Sequence, residues 1–336
     1  MGIEAPLGTR LQNLLNAHSV IGASMALVQN GQIELAAAGK KHVATGEPVD
    51  AGTVFDAASL TKPLVAYAVL QLVDAGVLSL DERLAEFVRS VVPDDPLAAR
   101  ITARHVLTHT CGLQNLRGKE PLRIFFEPGS RFSYSSVGFM YLQLAVETMT
   151  GESIETSVRR LVFEPLGMRS SSLEWRDAFS ENEAVPHEAS ERVEPHRAPA
   201  ANASYSLKTT AGDYAAFVAA VLDGDRLKEE TWREWLAPAV MVPRGEIVRL
   251  DSEPDATEPG IGWGLGWGLE PAAGTFFQWG KMSGARAFVM GSPAQGAGVV
   301  LLTNSNTGLR VVQDLIASLL PGEHPAIRWL VDGVSE

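Results

Sequence analysis

The dipeptide Asn30-Gly31 lies between two apolar runs, residues 24–29 and 33–38. Asn-Gly between apolar runs is a strong local signal for a two-residue β-hairpin turn, because both residues readily adopt a positive φ. Three further apolar segments, 276–280, 286–291 and 298–304, follow near the C-terminus and are separated by Gly, Ser and Pro. Since hairpins join antiparallel strands, we expect an α+β fold in which both termini contribute to one antiparallel sheet flanked by helices.

The residues between these two sets of strands have mainly helical periodicity, which predicts an inserted, mostly helical region. Over the whole chain, the predicted helices span 8–17, 62–74, 139–150, 212–222 and 308–320, and the segments 181–203 and 243–260 are predicted to be irregular. We predict an α/β domain from 1–75 and 255–336, a helical domain from 76–254, and an active site between them. In segment 260–268 glycines alternate with apolar residues, which favours a closely packed strand or loop over a nucleotide-binding loop.

The chain of 336 residues has a formal net charge of -12 and carries one cysteine, Cys111. An acidic surface disfavours binding to nucleic acid or to an anionic membrane. A single cysteine excludes an intrachain disulfide and a zinc site built from cysteines. The N-terminal residues contain no sustained apolar run, and no stretch reaches the roughly 20 apolar residues needed to cross a bilayer. We therefore expect a cytoplasmic protein without a membrane or nucleic-acid partner, and the sequence leaves its oligomeric state open.

The main chemical signal is the pair Ser59 and Lys62, in the segment Phe55-Asp-Ala-Ala-Ser-Leu-Thr-Lys-Pro. Residues three apart at a helix start lie on one face, so the amine of Lys62 can reach the Ser59 hydroxyl. Pro63 is compatible with a first helical turn, which predicts a helix that begins near Ser59 and surrounds it with free N–H donors. A lone Ser-x-x-Lys is more often a helix cap followed by a solvated lysine, so the pair needs further support.

Two downstream segments supply that support. Tyr134 is followed two residues later by Ser136, and a predicted strand carries Trp279-Gly-Lys-Met. With Ser59 and Lys62, these segments resemble the motifs Ser-x-x-Lys, Tyr-x-Asn and Lys-Thr-Gly of the β-lactamase and penicillin-binding superfamily of serine hydrolases. The resemblance is nearest to its class C β-lactamase branch, which includes esterases and D-peptidases. Framework segments at 105–113, 165–168 and 301–304 extend the resemblance over most of the chain.

The resemblance implies acyl transfer through a covalent ester on Ser59, with Lys62 and Tyr134 as the other catalytic residues. Either a Tyr134 phenolate or Lys62 would take the serine proton, and the sequence leaves that choice open. The backbone N–H groups of Ser59 and Met282 would form the oxyanion hole. No metal or cofactor is implied. His105 and His109 fall in a segment that is structural in this family, so neither is expected to be catalytic.

Two departures from the family motifs bear on the substrate. Ser136 replaces the Asn that helps to hold a substrate amide, and Trp279 replaces the cation that meets the carboxylate of a β-lactam. Together with these two, the predicted substrate-binding residues are Gly280, Lys281 and Met282. A second register, in which residues 281–284 form a stretched third motif, stays open, and Lys281 could supply a positive charge in either register.

The departures favour a carboxylesterase that acts on small acyl or aryl esters. The alternatives are an enzyme that cleaves amide bonds (a D-aminopeptidase, another peptidase or a weak β-lactamase), an acyltransferase, and a catalytically silent member that only binds its ligand. In each case the expected partner is a small-molecule ester or amide.

Overall fold

The computed structural model describes residues 6–252 and 256–331. Its strands are β1 (Gly22–Gln29), β2 (Gln32–Gly39), β3 (Phe55–Ala58), β4 (His187–Glu188), β5 (Glu191–Arg192), β6 (Leu207–Thr209), β7 (Val240–Pro243), β8 (Thr257–Trp263), β9 (Gly268–Glu270), β10 (Thr275–Met282), β11 (Ala285–Ser292) and β12 (Ala297–Thr303). Its α-helices are α1 (Leu7–His18), α2 (Thr61–Asp74), α3 (Ala103–Leu107), α4 (Ser136–Thr150), α5 (Ile154–Val158), α6 (Ala211–Asp223), α7 (Glu229–Trp235), α8 (Val312–Leu319) and α9 (Pro325–Trp329).

One large antiparallel sheet contains strands from both ends of the chain, in the order β2-β1-β12-β11-β10-β9-β8-β7. The N-terminal hairpin turns at Asn30 and Gly31, both of which have positive φ. Its strand β1 pairs with β12, with Met25 opposite Leu301. The α+β fold with a sheet built from both termini is therefore confirmed. The segments 181–203 and 243–260, predicted to be irregular, pair as strands only in short stretches of their described residues, since 187–188 and 191–192 form β4 and β5, and β8 begins at Thr257. Residues 253–255 lie outside the described residues.

Both faces of the sheet are covered, because the side chains of β1 alternate between two apolar cores. Ala26 and Val28 belong to the core that contains α2, α4 and α6. Ala23 and Met25 belong to the core on the other face, which contains α1, α8 and α9. This alternation is the period-2 pattern of a buried strand. The predicted helix at 308–320 is present as a 3₁₀ turn, Gly308–Val311, followed by α8.

The segment 76–254 is not separate from the sheet. Strand β7 pairs with β8 at the sheet edge, and α6 packs on β1 and β12. Gly298 on β12 allows this packing, because a Cβ there would lie 2.6 Å from a methyl group of Val218 on α6. The division into domains 1–75 with 255–336 and 76–254 stays a prediction, and residues 1–5, 253–255 and 332–336 of it lie outside the described residues.

The glycine-rich segment 260–268 ends β8, turns and begins β9, as predicted for a closely packed strand or loop. At the turn, the Gly266 N–H donates to the carbonyl oxygen of Leu107, and a Cβ on Gly266 would lie 2.7 Å from that of Ala66 on α2. Across residues 6–252 and 256–331, no helix is both long and apolar enough to cross a bilayer.

Candidate active site

Ser59 lies in the turn between β3 and α2. Strand β3 pairs with β6, and Ala58 then adopts a φ of 46°, in the left-handed region that is unfavourable for alanine. The Thr61 hydroxyl holds this conformation, since it donates to the Ala58 carbonyl oxygen at 2.6 Å and accepts from the Leu207 N–H at 3.0 Å. Helix α2 begins at Thr61 rather than at Ser59, because this turn separates the strand from the helix. The side chain of Ser59 is therefore presented half-exposed beside the helix start.

Lys62 is fully buried on the first turn of α2. Its Nζ donates to Ser59 Oγ at 3.0 Å and to the carbonyl oxygen of Ser204 at 2.8 Å. Both acceptors are uncharged, and the rings of Tyr134 and Phe139 lie with their centroids 4.9 and 5.6 Å from Nζ. Because burial penalises the ammonium form, it lowers the pKa of Lys62 from 10.5 to about 7. The spacing of Ser59 and Lys62 thus places an amine with a pKa near 7 within hydrogen-bond distance of the Ser59 hydroxyl.

The Ser204 carbonyl is positioned by Gln143 of α4. The Gln143 side chain donates to the Ala201 carbonyl oxygen at 3.1 Å and accepts from the Ala203 N–H at 2.9 Å. It therefore clamps the loop that leads to Ser204, the second acceptor of Lys62. The role of Gln143 was not predicted from the sequence, because its partners lie about 60 positions away and neither segment carries a local motif.

Tyr134 is buried with its phenol facing the hydroxyl of Ser59 and the amide of Gln278. Its backbone N–H donates to the Ile247 carbonyl oxygen at 2.9 Å, and its ring stacks on that of His109 at 4.0 Å. Burial raises the pKa of Tyr134 above that of an exposed phenol. The structure therefore brings Ser59, Lys62 and Tyr134 together, and of the two candidate bases it favours Lys62 in the free protein.

The two histidines have structural contacts. Nδ1 of His109 accepts from the Ser135 N–H at 3.0 Å, so the neutral ring orients the chain beside Tyr134. Burial lowers the pKa of His109 well below its usual value. His105 takes part in the capping box of α3 with Thr102. Both histidines therefore have structural contacts, and the expectation that neither is catalytic stays a prediction.

Strand β10 carries the third motif in the first of the two registers. Trp279 lies opposite Phe288 within the strand pair, whereas residues 281–284 run over the strand end and through the turn to β11. Gly280 does not line the cavity beside Ser59, although it was predicted to bind substrate. It faces β3, where a Cβ would lie 2.4 Å from the Ala57 carbonyl oxygen. Because Gly280 has no side chain, β10 can lie close to the backbone of β3 just before Ser59.

The hydroxyl of Ser136, which was predicted to bind substrate, is already bonded to a neighbouring side chain. Its hydroxyl donates to Asn115 Oδ1 at 3.0 Å, and its N–H donates to the same oxygen at 3.1 Å. These bonds orient the Asn115 side chain at the wall of the cavity. An amide is thus present next to the position where the family motif has one, but it comes from a loop that precedes the motif. Asn115 is a second residue that sequence analysis missed.

A cavity of about 1010 Å³ opens beside Ser59. Of the predicted residues, its lining contains Ser59, Tyr134, Ser136, Trp279, Lys281 and Met282. Lys62 lies behind this wall, in contact with Ser59. Further apolar lining comes from Leu116, Met140, Tyr205, Ile247 and Val248, and further charged groups are Arg117, Glu188, Glu246 and Arg286. An activated hydroxyl at the wall of a mainly apolar cavity is a geometry suited to acyl transfer.

Known proteins resemble this chain over most of its length. The β-lactamase family model matches residues 7–320. Penicillin-binding protein 4 of Amycolatopsis lactamdurans is 30% identical over 95% of this chain and 90% of its own length. Esterase EstB of Burkholderia gladioli is 29% identical over 90% of this chain and 91% of its own length. The chain belongs to the β-lactamase family, within the β-lactamase and penicillin-binding superfamily of serine hydrolases.

Solved structures agree on the fold. A class C β-lactamase superimposes with a TM-score of 0.74 at 21% identity, covering 94% of this chain and 95% of that one. An octameric penicillin-binding protein homologue from Pyrococcus abyssi superimposes with a TM-score of 0.78 at 21% identity, covering 94% of this chain and 77% of that one. At these identities the likeness concerns the fold alone.

Proposed function

We propose that the protein is a carboxylesterase that forms an acyl-enzyme on Ser59 with small acyl or aryl esters. The observation that carries the proposal is the 3.0 Å contact between Ser59 Oγ and the buried amine of Lys62, at the wall of the cavity. An unactivated hydroxyl is a poor nucleophile, and an amine whose pKa is about 7 can accept its proton near neutral pH.

In the first half-reaction, Lys62 takes the Ser59 proton as Oγ attacks the ester carbonyl carbon. The N–H groups of Ser59 and Met282 stabilise the resulting oxyanion, each contributing about 3 kcal/mol to lowering the barrier. Tyr134, which is protonated at rest, donates its proton to the departing alkoxide and regains one from Lys62. In the second half-reaction, water attacks the acyl-enzyme, Lys62 takes the proton of the water, and the proton returns to Ser59 Oγ.

The preference for esters rests on two side chains. Trp279 is buried among Tyr134, Trp263 and Trp329, so it presents an apolar face where the family motif has a cation. Ser136 has its hydroxyl bonded to Asn115, which leaves it less able to hold a substrate amide. The similarity to esterase EstB along most of both chains supports the same activity.

A second candidate, cleavage of an amide bond, is favoured by one observation. Asn115 brings an amide side chain to the cavity wall beside Ser136, and an amide there can hydrogen-bond a peptide or a lactam side chain. The 30% identity to a penicillin-binding protein points the same way. An acyltransferase and a catalytically silent, ligand-binding protein remain alternative predictions, and the cytoplasmic location also remains a prediction.

Labelling of the nucleophile tests the proposal. We expect a fluorophosphonate to add once to the peptide that contains Ser59, and Ser59→Ala to abolish both the adduct and the hydrolysis of p-nitrophenyl butyrate. Ser283→Ala is the matched control, because Ser283 also lines the cavity but is exposed in the turn between β10 and β11. Labelling or hydrolysis that survives in Ser59→Ala contradicts the proposal. Faster turnover of D-amino acid anilides than of esters would select the amide-bond candidate.

A further inference from the structure

Arg286 is a buried cation at the wall of the same cavity. It lies on β11 opposite Lys281 of β10, and only 8% of its surface is exposed. Its Nη1 donates to the carbonyl oxygens of Met282 and Ala285, both at 2.8 Å. The guanidinium therefore fastens the turn between the two strands with one of its three nitrogens.

No carboxylate among residues 6–252 and 256–331 lies within 4.0 Å of this guanidinium. Its Nε is buried and makes no hydrogen bond to any described residue. Glu188, which also lines the cavity, acts on Arg286 only from a longer distance and is itself exposed. Buried charges are normally paired, because an unpaired one has lost its hydration without compensation. Arg286, which lines the cavity, therefore lacks part of the pairing that a buried cation normally has.

We propose that Arg286 binds a carboxylate of the substrate, so that the natural substrate is an ester that also carries a carboxylate group. The inference rests on the proposed function, since it names the substrate class of the Ser59 site. The planar guanidinium matches a carboxylate in shape, and its weak hydration makes burial less costly than for an ammonium.

The charges around the cavity agree with an anionic ligand. Three cationic side chains line it, Arg117, Lys281 and Arg286, against two acidic ones, Glu188 and Glu246. This balance is positive in a protein whose formal net charge is -12. Trp279 stands on the same wall as Arg286, because both belong to the same face of the β10–β11 pair. An apolar acyl or aryl part would pack on the indole while its carboxylate reaches Arg286.

Two pairs of matched esters test the proposal. One pair, 3-acetoxybenzoate and 3-acetoxybenzamide, carries the variable group on the leaving side, and the other, the 4-nitrophenyl esters of adipic acid and of its monomethyl ester, carries it on the acyl side. We expect kcat/KM of the wild-type protein to favour the carboxylate member of at least one pair by about 10- to 100-fold, the range expected of a hydrogen bond to a charged group.

The variants separate charge recognition from general damage. Arg286→Met also loses the bonds to the turn that carries Met282, so we expect slower turnover of every ester, but the carboxylate-to-neutral ratio should fall to about one. Arg286→Lys should keep part of the ratio, and Arg233→Met, which removes an exposed charge on α7, should keep all of it. If Glu188 competes for Arg286, Glu188→Gln should raise the ratio.

The outcomes distinguish this inference from the proposed function. A wild-type protein that hydrolyses the neutral esters through Ser59 but shows no carboxylate preference in either pair overturns the inference alone. So does a ratio that is unchanged in a folded Arg286→Met variant. If no ester is hydrolysed, thermal unfolding of Ser59→Ala decides the question: benzoate, unlike benzamide, should raise its Tm, and equal shifts would refute the carboxylate site.

Discussion

The burial of Lys62 predicts how the rate of ester hydrolysis depends on pH. A pKa lowered from 10.5 to about 7 corresponds to about 5 kcal/mol against the ammonium form. The neutral amine would then make up about one tenth of the protein at pH 6, half at pH 7 and nine tenths at pH 8. With an unperturbed pKa it would make up only about 0.03% at pH 7.

We therefore expect kcat/KM for p-nitrophenyl butyrate to rise about tenfold per pH unit below pH 7 and to level off above it. The profile should be recorded at the wavelength where nitrophenol and nitrophenolate absorb equally, so that the ionisation of the product does not enter. Because Tyr134 is protonated throughout this range, its own ionisation should leave no second rise below pH 9.

Lys62→Met is the control, since methionine has similar length and no base. We expect it to lower kcat/KM by about 10²- to 10⁴-fold, the usual contribution of a proton-transfer group, and to remove the rise around pH 7. A wild-type profile that is flat from pH 6 to 9, or that keeps rising to pH 10, would refute the assignment of Lys62 as the base. A rise that persists in Lys62→Met would assign the ionisation to another group.

Three further predictions concern the support of the site and the fold. Gln143→Leu should release the loop at Ser204 and shift the pH midpoint of hydrolysis, while circular dichroism stays unchanged; an unchanged midpoint would contradict the positioning role. Lys208→Met leaves the buried Asp56 without its cation and should lower the free energy of unfolding by about 3–5 kcal/mol in denaturant titrations. Finally, the hydrogen bond to Glu270 raises the pKa of His324, so its stabilisation should be full below the unfolded pKa of histidine and disappear as the pH rises through the raised value; His324→Gln should thus cost more stability in acid than at pH 9.

Much of the fold was predictable because its signals are local. The Asn30-Gly31 turn specifies the first hairpin, and the apolar run at 24–29 predicts its first strand, which is buried on both faces of the sheet. The start of α2 was predicted two residues early, because the sequence does not reveal that Ala58 takes a positive φ. That conformation is held by the Thr61 hydroxyl, which donates to the Ala58 carbonyl oxygen and accepts from the N–H of Leu207 on β6, 146 positions away.

The site shows the same division between local and distant contacts. Ser59 and Lys62 lie three residues apart, so their contact can be read from spacing alone. Asn115 and Gln143 act through hydrogen bonds to residues 21 and about 60 positions away, and no periodicity connects them. Gly280 was assigned to the substrate because of its motif, whereas its actual constraint is the carbonyl oxygen of Ala57 on another strand.

The position of Arg286 depends on a contact between two strands, but it can be predicted once the register of those strands is known. Once Ser283 and Gly284 are recognised as the turn, Lys281 falls opposite Arg286 and Trp279 opposite Phe288, which puts all four side chains on one face. In a strand pair of this kind, a site that lacks a cation at one position can therefore have one elsewhere on the same face, two residues further along the strand. The loss of a charged residue at the motif position, taken alone, does not determine the charge of the site. Substrate specificity depends on all the side chains of the face beside Ser59, and the buried charged side chain on that face is Arg286.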